Sequence, residues 1–231
     1  MCGRYAMTSS AHALADVFSV EVLPGVSPRY NIAPTTSVPA VVVDDSGART
    51  MAAFRWGLIP SWAKDRKGAA RMINARAETV ASKPSFRAAF RRRRALVVAD
   101  GFYEWERIGA GRSAKKIPHL VQLKDGAPFG MAGLWERWVD PETDEELRTC
   151  TIITTEGNAV MRPIHDRMPV ILPDTHWERW LDPLMHDKDA LVEMLVPYDP
   201  GEMQERRVSA AVGNVRNQGS EVQGPYDEPE L

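Results

Sequence analysis

Apolar positions along this chain fall mostly into short runs with strand-like spacing. The segments "GRYAM", "VPAVVV", "TMAAFRW", "RMINA", "ALVVADGFYEW", "PHLVQL", "FGMAGLW", "RTCTIITT" and "MPVIL" are rich in Val, Ile, Thr and aromatics. Turn formers such as "DDSG" and "LKDGAP" separate them, as expected where strands reverse direction. Helical spacing is rarer. "SSAHALADVFSV" starts with serine caps and sets Leu14, Val17 and Phe18 on one face, while "KPSFRAAFRRRR" groups Phe86, Ala89 and Phe90. "DTHWERWL" and "DKDALVEMLV" each open on an aspartate that can cap a helix. Strands and helices do not alternate regularly. That argues against a doubly wound parallel sheet and predicts a mainly β or α+β core.

Composition narrows the class further. With 231 residues, 44% hydrophobic and 26% charged, the chain has the make-up of an ordinary globular protein. Its longest apolar runs are strand-sized and too short for a membrane span. His12 and Asp16 stand where the apolar segment of a signal peptide would lie, so a cytoplasmic protein is expected, nucleoid-associated in a bacterium. No linker divides the chain, which predicts one domain over residues 1–222 and a short, flexible acidic tail over 223–231. The two cysteines, Cys2 and Cys150, form no CxxC pair, and the histidines His12, His119, His165, His176 and His186 lack metal-ligand spacing. Neither a disulfide framework, a metal nor another cofactor is expected. Cys150, inside "LRTCTIITT", reads as a small buried apolar residue.

Charge changes the picture. Residues 1–120 hold 19 Lys and Arg against 9 Asp and Glu, whereas residues 121–231 hold 10 against 22. A basic half can meet a polyanion while the acidic half keeps the whole soluble, although charge also simply solvates surfaces. Within "FRWGLIPSWAKDRKGAARMINAR", Trp56 and Trp62 interleave with Arg55, Lys64, Arg66, Lys67, Arg71 and Arg76, the mixture that single-stranded nucleic acid requires. The run Arg91–Arg94 closes a helix, where cations are welcome in any case.

Four positions offer chemistry. Removal of Met1 would leave Cys2 with a free amine of pKa about 7.7–8.0 and a thiol near about 8.5, two nucleophiles on adjacent carbons. An aldehyde meeting the amine forms a Schiff base, and the tethered thiolate then closes a five-membered thiazolidine. From position alone, Cys2 reads equally as a buried residue without chemistry. In "ADGFYEWE", strand alternation places Phe102, Glu104 and Glu106 on one face and Tyr103 and Trp105 on the other. If buried, Glu104 would have its pKa raised and could exchange protons; if exposed, it is an ordinary strand residue. His165 and Arg167, in "PIHDRMPVIL", offer a proton carrier and a phosphate ligand, although a lone histidine is more often structural. Asn74 and Arg76, in "RMINARAET", pair an amide with a guanidinium on one strand face, with capping as the alternative for Asn74.

Together "MCGRY", "YNIAPT", "WGLIPSWAKD", "INARAET", "KPSFRAAF", "ADGFYEW", "MAGLWE", "IHDRMPVIL" and "VSAAVGNVRNQG" resemble the SOS-response-associated peptidase (SRAP) family of abasic-site processing proteins. The resemblance runs from Cys2 to about Gly219. It implies a single α+β domain with a β-barrel-like core of mostly antiparallel strands and peripheral helices. It also implies covalent capture of abasic sites in single-stranded DNA as a thiazolidine crosslink on Cys2, with Schiff-base lyase activity when the thiol step fails. In that reading Glu104 moves protons during formation and reversal, His165 assists opening of the sugar, and Asn74 orients the sugar or the Cys2 amine. Arg4, Arg76 and Arg167 become phosphate contacts. Pro34 and Trp62 become an apolar wedge that suits bent or junction DNA. The protein is expected to act as a monomer, with a replication partner that the motifs do not identify. Gly157 stands where relatives often carry alanine and reads as remote from Cys2, Asn74, Glu104 and His165. The alternative function is a thiol peptidase, with Cys2 as nucleophile and Glu104 and His165 in support. Under the DNA-binding reading, affinity for single-stranded DNA falls steeply as salt rises, because phosphate contacts release counterions; a flat salt response in a fluorescence titration would contradict it.

Overall fold

A computed structural model describes residues 2–109, 111 and 114–227; Met1 and residues 228–231 of the expected tail lie outside them. The described chain forms thirteen strands, β1 (Tyr5–Met7), β2 (Arg29–Ile32), β3 (Ser37–Val43), β4 (Arg49–Trp56), β5 (Asn74–Arg76), β6 (Arg94–Ala99), β7 (Gly101–Ile108), β8 (Lys115–Leu123), β9 (Phe129–Val139), β10 (Glu146–Glu156), β11 (Arg167–Pro169), β12 (Ile171–Leu172) and β13 (Met203–Arg207). Five short helices lie among them, α1 (Ala11–Phe18), α2 (Ala77–Val80), α3 (Arg87–Arg92), α4 (Trp177–Leu181) and α5 (Lys188–Glu193).

Strands β10, β4, β3, β6 and β9 pair in sequence, and β9 pairs back to β10, so the five close into a barrel with no free edge. All the pairings in that ring are antiparallel except β4 with β10. This bears out the barrel-like α+β architecture expected from the sequence. β10 outruns the barrel. Beyond Ile152 it takes β5 as a parallel neighbour and β11 as an antiparallel one. A second, antiparallel sheet runs β13, β8, β7, β1, β2. The chain crosses from barrel to second sheet at Asp100, where the sequence read one continuous strand. The buried Asp100 carboxylate accepts the N–H groups of Thr8 (2.6 Å) and Ser9 (3.1 Å), fixing the entry to α1.

Alternation along β7 is as expected. Phe102 packs in the main core, and Tyr103 packs with Ala6, Leu120, Val208, Val212 and Val222 on the far face of the second sheet. Val222 is fully buried there, and Gln223 donates to the Tyr103 hydroxyl at 3.0 Å.

Several local expectations need correction. Ser10 caps α1 through the Ala13 N–H, but the buried face is Leu14, Ala15 and Phe18, while Val17 is exposed. Asp187 caps α5 as expected, whereas the turn before α4 starts at Pro173 without a side-chain cap. Strand β2 is only four residues long and β13 carries no apolar alternation, and neither was visible in the sequence.

The arginine run is the largest revision. Arg94 is not a solvated helix-end cation but a buried strut, 2% exposed. Its guanidinium donates to the carbonyls of Trp180 (2.6 Å), Phe90 (2.8 Å), Met185 (3.2 Å) and Asp182, tying α3, β6 and α4 together. Burial lowers its pKa to about 10. Arg94→Met would leave these carbonyls unmet in the interior, at about 1–3 kcal/mol each before relaxation. We predict a loss of about 3 kcal/mol or more in urea unfolding; a change below about 1 kcal/mol would contradict the strut role.

Candidate active site

The N-terminal segment is laid along β7 by ordinary sheet pairing. Tyr5 lies opposite Phe102, and the Tyr103 N–H donates to the Arg4 carbonyl at 2.9 Å, so continuing the register carries Cys2 past Glu104. From the barrel side, β10 brings up β5 and with it Asn74, whose register partner is Ile152. The Asn74 side-chain amide donates to the Cys2 carbonyl at 2.8 Å. Its Oδ1 is buried without a hydrogen-bond partner among the described residues. Such an acceptor in a native interior points to a role beyond folding, and it suits an amine or a hydroxyl.

Cys2 and Glu104 are both buried, at 0% and 3% exposure. The Cys2 thiol is therefore pushed well above its ordinary range, by burial first and by the negative charge of Glu104 second. Glu104 is also raised, by burial above all, and His165 partly offsets that rise. Each charge penalises the other, so the resting site favours a neutral thiol and a carboxyl that keeps its proton above the usual glutamate range.

His165 arrives on the loop between β10 and β11. Its Nδ1 is 2.9 Å from the Arg167 N–H and 2.8 Å from Asp166 Oδ1. The neutral ring can accept from Arg167 and the protonated ring can donate to Asp166, so both states have a partner. The loop is closed by the Gly157 N–H donating to the Asp166 carbonyl at 2.7 Å. An added Cβ at Gly157 would stand 2.8 Å from the His165 carbonyl oxygen. Gly157 is thus not remote from the site, as the sequence reading had it, but sits directly under the histidine loop.

The cations divide. Arg76 is exposed at the end of β5. Arg167 is held by Glu78, at 2.5 and 3.1 Å, and by the Thr154 carbonyl at 2.6 Å, while Glu78 is lowered by that hydrogen bond. Arg4 donates to Asn31 Oδ1 (2.7 Å) and the Val212 carbonyl (2.8 Å) and lies over Trp105. Sequence reasoning missed Asn31, although it lies inside "YNIAPT": its amide binds the carbonyls of Val212, Asn214 and Asn217, linking that motif to "VGNVRNQG". Pro34 is half-buried, and the turn after it is pinned by the Thr35 N–H donating to the Trp56 carbonyl at 2.8 Å. Trp62 is 66% exposed, a free stacking face. Among the described residues, no group of three or more His, Cys, Asp or Glu is placed to hold a metal, and no helix is long and apolar enough to cross a membrane.

The fold and site define an α+β barrel protein that holds a buried cysteine beside an amide, a carboxyl and a coupled imidazole. The model of the SOS response associated peptidase (SRAP) family matches residues 1–215. Abasic site processing proteins YoaM and YoqW of Bacillus subtilis are each 43% identical over 225 residues, covering 96% of this chain and 97% and 98% of theirs. A crystal structure of a protein from Bacteroides thetaiotaomicron superposes with a TM-score of 0.86 at 30% identity, covering 96% of this chain and 99% of that one. The chain belongs to the SRAP family.

The charge coupling can be measured. In a Cys150→Ser background, Glu104→Gln removes the negative charge facing Cys2, so the thiol titrates at lower pH than with Glu104 present. The check is the ultraviolet absorbance of the thiolate against pH, and an unchanged or higher midpoint would contradict the coupling.

Proposed function

We propose that this protein captures abasic sites in single-stranded DNA, bonding the open sugar aldehyde to Cys2 after Met1 has been removed. The observation that carries the reading is the meeting of four residues from distant segments, with half-buried Asn74 and His165 drawn to the buried Cys2 and Glu104. Membership of the SRAP family and the names of the Bacillus relatives support it.

In this account His165 moves a proton at the sugar ring oxygen as the cyclic form opens. The Cys2 amine adds to the aldehyde carbon. Glu104, protonated by virtue of its burial, delivers a proton to the departing hydroxyl, and water leaves as the imine forms. The resulting Glu104 carboxylate takes the thiol proton, the sulfur adds to the carbon of the protonated imine, and the ring nitrogen is left neutral with the one proton it already carries. Asn74 holds the Cys2 carbonyl throughout and offers Oδ1 to the amine or the sugar hydroxyl. The order matters: a thiol raised by burial is a poor first nucleophile, so the amine leads and the tethered thiol follows. The same fact disfavours a general thiol peptidase. Loss of the thiol step leaves the imine free to eliminate, which gives the lyase outcome.

Arg76 is the exposed phosphate contact of this account. Arg4 and Arg167 would contribute those N–H groups that their protein partners leave over. Trp62 and Pro34 press against bases beside the lesion, which favours junctions between single and double strands.

Abasic and intact single strands are incubated with the protein and resolved on denaturing gels. Wild type shifts the abasic strand only, Cys2→Ala gives no thiazolidine product, and Glu104→Gln slows formation by about a hundredfold or more. Equal yield from Cys2→Ala, or product from intact DNA, would sink the reading. The pH profile carries a second sign. The Glu104 carboxyl is raised, so the rate with wild type falls as pH climbs through a midpoint above the usual glutamate range, and Glu104→Gln lacks that limb.

A further inference from the structure

Away from Cys2, a cavity of about 550 Å³ opens between α3 and α5. Arg87 and Arg91 line it from α3, and His186 and Lys188 face them from the start of α5, over a floor that includes Phe90 and Leu191. Among the described residues no carboxylate lines it. Arg87, Arg91 and Lys188 form no ion pair among the described residues, whereas Arg66, Arg93, Arg137, Arg148 and Arg167 each meet a carboxylate within 3.5 Å.

Such a cluster works against folding. Arg87 and Arg91 stand four residues apart on α3, a spacing that brings like charges together along a helix, and the facing Lys188 adds to the repulsion. Cations gathered in a concave site without counter-charge are relieved by an external anion. The placement says which. Arg76 ends β5, α2 follows at once, and Ala81, the residue after α2, lies on the cavity wall. The cavity wall therefore begins five residues, about 7.5 Å of helical rise, along the chain from Arg76, the exposed cation of β5. No exposed aromatic lines it, so it has no stacking surface for bases and suits the sugar-phosphate backbone alone.

We propose that this cleft binds the phosphates of the single strand where it continues beyond the captured lesion. The assignment rests on the abasic-DNA reading above and extends it from the lesion to the flanking strand. The cleft is sequence-independent and adds affinity only for strands long enough to reach it.

The test uses the double variant Arg87→Glu/Arg91→Glu and the milder Arg87→Ala/Arg91→Ala, with three oligonucleotides: a short abasic strand, a long abasic strand and a long intact strand. On the long strands, binding weakens by about tenfold and the slope of log K against log salt becomes shallower by about 1 to 2, as expected on losing two phosphate contacts. On the short abasic strand, crosslink yield and rate match wild type, which also reports that the variants are folded. Unchanged binding and slope on long strands would overturn the proposal, as would an equal loss on the short strand. So would tight binding of an acidic peptide that competes with neither long strand. The intact strand separates the two readings: if abasic capture fails but the cleft is right, the slope still changes on intact DNA. If the cleft is wrong but capture is right, the short strand crosslinks normally and the slopes do not move.

Discussion

The structure hangs on β10, an eleven-residue strand that serves two assemblies at once. Its first half closes the barrel between β4 and β9; its second half, beyond the barrel rim, holds β5 on one side and β11 on the other. A strand buried on both faces needs a continuous run of apolar and β-branched residues, and Thr149–Thr155 supplies it. Because backbone pairing fixes register, Asn74 and the loop bearing His165 are placed by the same ladder that closes the core. Site and stability are thereby coupled.

The N-terminus reaches this rim from the other sheet. Its route depends on polar residues that join segments far apart in sequence: Arg4 and Asn31 to the 212–217 segment, Asp100 to Thr8 and Ser9, and Asn74 to Cys2. Each satisfies buried groups that would otherwise be costly, and each limits how the first residues can move. What results is a cysteine held in a dry setting where charge is penalised on both Cys2 and Glu104. A thiolate cannot be stored there. In the proposed capture chemistry, proton transfer therefore accompanies bond formation, and a carboxyl that still holds its proton is suited to that role.

Much of this was legible in the sequence, for physical reasons that differ by element. Strands such as β3, β6 and β10 declare themselves through dense Val, Ile and Thr, and β7 through its two-residue alternation. β13, "MQERR", does not, because a polar edge strand needs only a neighbour's backbone. Residue type and family motif singled out Cys2, Asn74, Glu104 and His165, but the pairing of β5 with β10 that brings Asn74 to Cys2 has no signature in either segment. Arg94 shows the converse. Inside a run of four arginines it looks like a surface cation, and only the arrangement of α4 against β6 gives it four carbonyls to bind. Gly157 likewise looks neutral until the return of the chain at His165 is seen.

The central claim is that the amine and thiol of Cys2 act together as one reagent. It is tested most directly by digesting the product formed with an abasic single strand and taking the mass and fragmentation spectrum of the N-terminal peptide. The account predicts a peptide that begins at Cys2, carries the sugar adduct less one water, and no longer reacts with a thiol alkylating agent. A peptide that keeps Met1, an adduct on a lysine, or an adduct on Cys2 whose thiol still alkylates would contradict it.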